Sequence, residues 1–99
     1  MKGFVDENLF HDAIEAFGKE HQVKKCIEEL EELSVELKIL LKKGKADKGR
    51  ICDEIADVWL TTMQMMYMFD KDKKITGDRF DFKVERLKKL IHEKMKENE

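Results

Sequence analysis

Two acidic runs carry the chemistry this chain could perform, Glu28-Glu29-Leu30-Glu31-Glu32 and Glu54-Ile55-Ala56-Asp57. On a helix, residues three apart differ by roughly 60° around the axis, so Glu29 with Glu32, and Glu54 with Asp57, each share a face. Glu36 continues the first stripe and, like Glu29, borders the apolar sector of Cys26, Leu33 and Leu37. Glu29 paired with Asp57 and Glu32 paired with Glu54 have one midpoint, Lys43, beside Gly44. In a tight antiparallel hairpin that symmetry places all four carboxylates at one level, although a wider turn over 44–50 would shift it by about one turn. Carboxylates gathered in a bundle pay a desolvation and like-charge cost of several kcal/mol each (order of magnitude) unless they reach water, take up protons or hold a cation. An oxygen-only set selects a hard ion, Mg²⁺ or Mn²⁺. A bundle di-iron site would need Glu-x-x-His pairs, and none of His11, His21 or His92 follows a Glu by three.

Two simpler readings stand beside that one. Glutamates on a helix face are ordinarily a solvated surface, and Glu54 and Asp57 could merely favour the positive end of their helix. The setting argues for more. From Ile55 onward the helix carrying Glu54 and Asp57 is apolar on every side, with Val58, Trp59, Leu60, Met63 and Met65 through Phe69. Such a helix, too short and interrupted to span a bilayer, is expected at the centre of a bundle or at a subunit interface.

Four helices are expected to position these groups. Asp6 caps the first, which Gly18 ends after Phe17. The second runs from about Glu20 to Lys43 and stops at Gly44, with apolar residues at three-four spacing from Val23 to Leu41. Asp47 caps the third, which continues to Phe69; a charged loop spans Asp70 to Gly77; and Asp78 opens the fourth, with Phe80, Val84, Leu87, Ile91 and Met95 on one face. The expected fold is an all-α, four-helix antiparallel bundle-type subunit, a single domain over residues 1–99 that assembles into a homo-oligomer. With 99 residues, a chain folding alone buries only about 60–65% of its extended surface, so self-association would supply the missing area.

Composition narrows the partners. With 41% hydrophobic and 42% charged residues, no Pro and five Gly, the chain suits long helices rather than a turn-rich sandwich. Twenty basic against twenty-two acidic residues give a net charge of −2, leaving no field to attract nucleic acid. Cys26 and Cys52 form no C-x-x-C pair and read as reduced thiols. With no signal-peptide pattern and no membrane span, a soluble, cytoplasmic protein is expected.

The run Ala13-Ile14-Glu15-Ala16-Phe17-Gly18, then Gln22, then Cys26 through Leu33, followed by Asp53 through Val58, resembles the MazG-like all-α nucleoside triphosphate pyrophosphohydrolases. Their pattern is E-E-x-x-E, a spacer, then E-x-x-D; the likeness covers roughly residues 13 to 68 and is looser beyond. It implies a homodimer or homotetramer that uses Mg²⁺ to cleave an NTP or dNTP into the monophosphate and pyrophosphate. Carried over, Glu29, Glu32, Glu54 and Asp57 are the metal-binding acids, with Glu28 as a possible addition. Lys83 and Arg86 are the nearest match to the family's phosphate-holding residues, and with Arg79 they form a basic strip on the fourth helix. Glu28 or Glu32 is the carboxylate left to accept a proton from the attacking water. Within the superfamily, a dUTP or phosphoribosyl-ATP pyrophosphohydrolase is an alternative. From a different class, a non-catalytic helical oligomerisation or regulatory module is the rival. The base pocket is open among Thr61, Gln64, Met65 and Met68, with Gln22, Phe4, Phe10 and Phe17 as further candidates.

Overall fold

The computed structural model describes residues 5–99, and Phe4 lies outside them. Four helices follow in order: α1 (Glu7–Phe17), α2 (Lys19–Lys43), α3 (Lys48–Phe69) and α4 (Lys74–Glu97). The described residues form helices and no strands, and no described helix is long and apolar enough to cross a membrane.

Local chemistry accounts for the boundaries. The Asp6 carboxylate accepts from the Asn8 amide at 2.9 Å and starts α1. Gly18, at φ +88°, breaks the chain between α1 and α2 without ending helical structure for more than one residue. Gly44 sits in the left-handed region at φ +71°, and its amide closes α2 on the Leu40 carbonyl at 2.8 Å. Asp47 then caps α3 through the Arg50 amide at 3.2 Å.

The fourth helix starts earlier than expected, at Lys74 rather than Asp78. The acidic residues that made this segment look like a loop are its caps. The Asp70 carboxylate accepts from the amides of Thr76 at 2.6 Å and Ile75 at 3.3 Å, while Asp72 accepts from Lys74 at 3.1 Å. The Thr76 bonds hold the Asp70 carboxyl below its ordinary acidity range.

Helices α2 and α3 form an antiparallel hairpin, and α1 contacts both. Phe10 of α1 is buried, its ring centroid 6.1 Å from that of Tyr67 on α3. Helix α4 departs from the bundle arrangement: it has no extensive interface with the other three, and none of its residues is buried. The radius of gyration is accordingly 17.0 Å, against about 13 Å for a compact chain of this length.

The hairpin is also inside-out by ordinary standards. Among the described residues the buried hydrophobic ones are Phe10 and Cys26, whereas Gln22, Glu29, Thr61 and Gln64 are buried polar ones. Trp59, Leu60 and Ile55 of α3 are exposed, so the helix that is apolar all round is not enclosed by this single chain. The reason is that α3 packs against α2 and α1 but has no extensive interface with α4.

Candidate metal centre

The seam between α2 and α3 is a ladder of polar pairs. At the open end the Gln22 amide nitrogen donates to Gln64 Oε1 at 2.6 Å, and His21 Nδ1 donates to Gln22 Oε1 at 2.8 Å. At the turn end Arg50 pairs with Glu36 at 3.6 Å. Both pairs are symmetric about Lys43, as are Glu29 with Asp57 and Glu32 with Glu54. One register therefore holds from Gln22 to Glu36, and the four-residue connection does not shift it.

In the middle of the ladder, one carboxylate oxygen from each of Glu29, Glu54 and Asp57 lies within 4.8 Å of the others. Glu29 is buried at 5% exposure, and Glu54 and Asp57 are half-buried. The Oε2 atoms of Glu29 and of Glu54 are both buried without a hydrogen-bond partner. Two orphaned carboxylate oxygens in a cluster of three carboxyls are a costly arrangement, because buried polar atoms are nearly always satisfied. Glu32 completes the level from the rim: it is exposed, with its carboxyl beside those of Glu29 and Glu54. Glu28 is exposed and meets Lys25 at 3.7 Å.

The two simpler readings of the acids fare unequally. Glu28, Glu31 and Glu32 are solvated, as a surface run would be, but Glu29 is not. A helix-dipole role does not account for Glu54 and Asp57, which lie beyond the first turn of α3, where that effect fades.

Electrostatics agree with crowding. Burial, then the Glu29 charge, raise the Asp57 carboxyl above its ordinary 3.8. The Glu29 charge, then burial and Glu54, raise Glu32 above its ordinary 4.5. A carboxyl whose folded pKa is raised favours the protonated fold, so this contribution to stability is lost as pH rises through the ordinary values towards the raised ones. Asp70, with a lowered pKa, acts in the opposite sense: its contribution is lost as pH falls below 3.8 through the lowered value. The melting temperature in EDTA is therefore expected to rise on acidification from pH 7 and to turn down only below about pH 4, where Asp70 takes up its proton. A steady fall in melting temperature from pH 7 to pH 4 would contradict this balance.

The remaining expected site residues are not brought here by the single chain. Lys83 and Arg86 are exposed on α4, which has no extensive interface with α2 or α3. Of the base-pocket candidates, Thr61 and Gln64 are buried on the seam; the Thr61 hydroxyl donates to the Asp57 carbonyl at 2.9 Å. Phe17 is exposed and stacks on His21 at 5.3 Å between centroids. Cys26 is a buried free thiol and Cys52 an exposed one. Two participants escaped the sequence reading: Lys25, whose ammonium lies 3.0 Å from Glu29 Oε1, and Arg50 at the turn. The symmetry about Lys43 carried a signal for Arg50, since it pairs that residue with Glu36.

No protein-family model matches the chain, and no curated protein or solved structure matches it either.

Proposed function

We propose that this protein is a Mg²⁺-dependent nucleoside triphosphate pyrophosphohydrolase of the MazG-like kind, working as a homo-oligomer with its site on the α2–α3 seam. The observation that carries the proposal is the pair of buried, unpartnered oxygens, Glu29 Oε2 and Glu54 Oε2, beside Asp57. The donor set fits a hard divalent cation: oxygen ligands only, converging from two rigid helices. Glu29, Glu54 and Asp57 would hold it, with Glu32 at the rim.

Bound there, Mg²⁺ would neutralise phosphate charge and favour ionisation of a coordinated water. The chain's own groups supply the rest. Glu32, open to solvent beside the cluster, would accept a proton from the attacking water. Glu28, exposed one residue before Glu29, is the alternative acceptor. Water attacks the α-phosphorus, the bond to the α–β bridging oxygen breaks, and pyrophosphate leaves with the nucleoside monophosphate as the other product. Lys83 and Arg86 would contact phosphates once α4, from the same or a neighbouring copy, covers the seam.

Incubation with a panel of NTPs and dNTPs, dUTP and phosphoribosyl-ATP included, tests the proposal. Pyrophosphate and monophosphate are expected from at least one member with Mg²⁺, and none with EDTA. Release of orthophosphate would contradict the assigned bond. The exposed apolar faces also suit a non-catalytic oligomerisation module; that reading requires silence across the panel and no Mg²⁺-dependent rise in melting temperature.

A further inference from the structure

Lys25 stands one turn before Glu29 on α2, and its ammonium reaches Glu29 Oε1 at 3.0 Å and Glu28 Oε2 at 3.7 Å. The two ends of the Glu29 carboxylate thus have different surroundings. The outer oxygen rests on a cation, whereas the inner one is buried with no partner. The Lys25 side chain is 45% exposed and that of Glu29 only 6%, so the ammonium sits at the solvent edge of a buried anion. Among the described residues this is the only ion pair made by any of Glu29, Glu32, Glu54 and Asp57. The charges on the other three helix-borne acids of this level are otherwise unmatched.

We infer that Lys25 is an exchangeable counter-cation. In the metal-free protein it partly neutralises the cluster through Glu29, and it leaves Glu29 for an incoming phosphate when a divalent cation takes the carboxylates. Two physical facts support the exchange. A divalent ion on Glu29 repels an ammonium on the same carboxylate, so the two cations compete. The lysine stem is flexible and open to solvent, and its ammonium, a compact point charge, needs no fixed geometry to pair with a phosphate at the mouth of the site. Lys25 is in this account a positioning residue: it sets how much free metal the site requires and couples metal binding to anion binding. The inference rests on the proposed metal site.

The signature is a pair of effects of opposite sign. Lys25→Met should lower the Mg²⁺ concentration for half-maximal thermal shift by about threefold, the competitor being gone. It should weaken binding of inorganic pyrophosphate to the Mg²⁺-loaded protein by about tenfold, measured by calorimetry. Lys25→Arg, which keeps the charge, should stay within about twofold of wild type in both. Lys25→Gln repeats the measurement should the methionine perturb packing. Any pattern other than tighter metal with weaker pyrophosphate overturns the inference while leaving the metal site standing. Absence of a Mg²⁺ shift in the wild type overturns the metal site itself.

Discussion

Asp57→Asn is expected to lower pyrophosphohydrolase activity by at least about a hundredfold, since even an outer partner of a metal ligand is commonly worth ten- to a hundredfold. The same substitution should raise the melting temperature of the metal-free protein by on the order of 5 °C. Asp57 shares its 4.8 Å neighbourhood with Glu29 and Glu54, each of which has one buried carboxylate oxygen without a partner. Replacing one charge by an amide removes like-charge repulsion and adds a donor that either oxygen can accept from. Mg²⁺ should then no longer raise the melting temperature, so stability and activity move in opposite directions. Glu54→Gln should behave alike. A metal-free protein destabilised by Asp57→Asn would mean that the carboxylate is an ordinary structural acid and would remove the basis of the metal assignment.

The second large effect concerns assembly. The chain exposes 8476 Å², whereas a compact monomer of its 11.8 kDa mass would expose about 5,900 Å². The excess, roughly 2,500 Å² per chain or about 5,000 Å² for two copies, lies at the upper end of what obligate dimers bury. Much of it is apolar and arranged in stripes: Ile27, Leu30, Leu37 and Leu41 follow three-four spacing along α2, and Phe80, Leu87, Ile91 and Met95 do so along α4. Sedimentation is expected to give a mass at least twice 11.8 kDa. Leu87→Asp combined with Ile91→Asp should shift the protein towards the monomer. It should also cost several kcal/mol of apparent stability (order of magnitude), because two buried leucine-class side chains are worth about 1.5–3 kcal/mol each. Wild-type protein sedimenting as a monomer at micromolar concentration would refute the assembly. Circular dichroism separates dissociation from unfolding in the double variant.

Periodicity and punctuation made the helices legible. Gly18, Gly44, Asp6 and Asp47 act where their chemistry says they should, because capping and left-handed glycines are local effects that need no tertiary partner. The start of α4 was misread for the same reason turned round. Asp70 and Asp72 are loop formers by composition, yet their carboxylates reach forward to three helix amides, a geometry that residue counts do not distinguish from a loop. Lys25 was passed over because charged neighbours at i+3 and i+4 are commonplace on any helix, and only burial of Glu29 makes this pair unusual.

The sequence by itself determined four helices and the faces on which Glu29, Glu32, Glu54 and Asp57 fall, since both follow from a rotation of about 100° per residue. It also determined, through symmetry about Lys43, which acids stand opposite one another once the hairpin closes. Only the tertiary structure decided which oxygens lose their water: Glu29 and Glu54 each turn one inward while Glu32 stays wet. It likewise placed the polar ladder inside and the apolar stripes outside, and it left α4 standing apart. Burial belongs to the packing of one helix against another, and a linear pattern of residue types constrains that packing without choosing how far each side chain sinks.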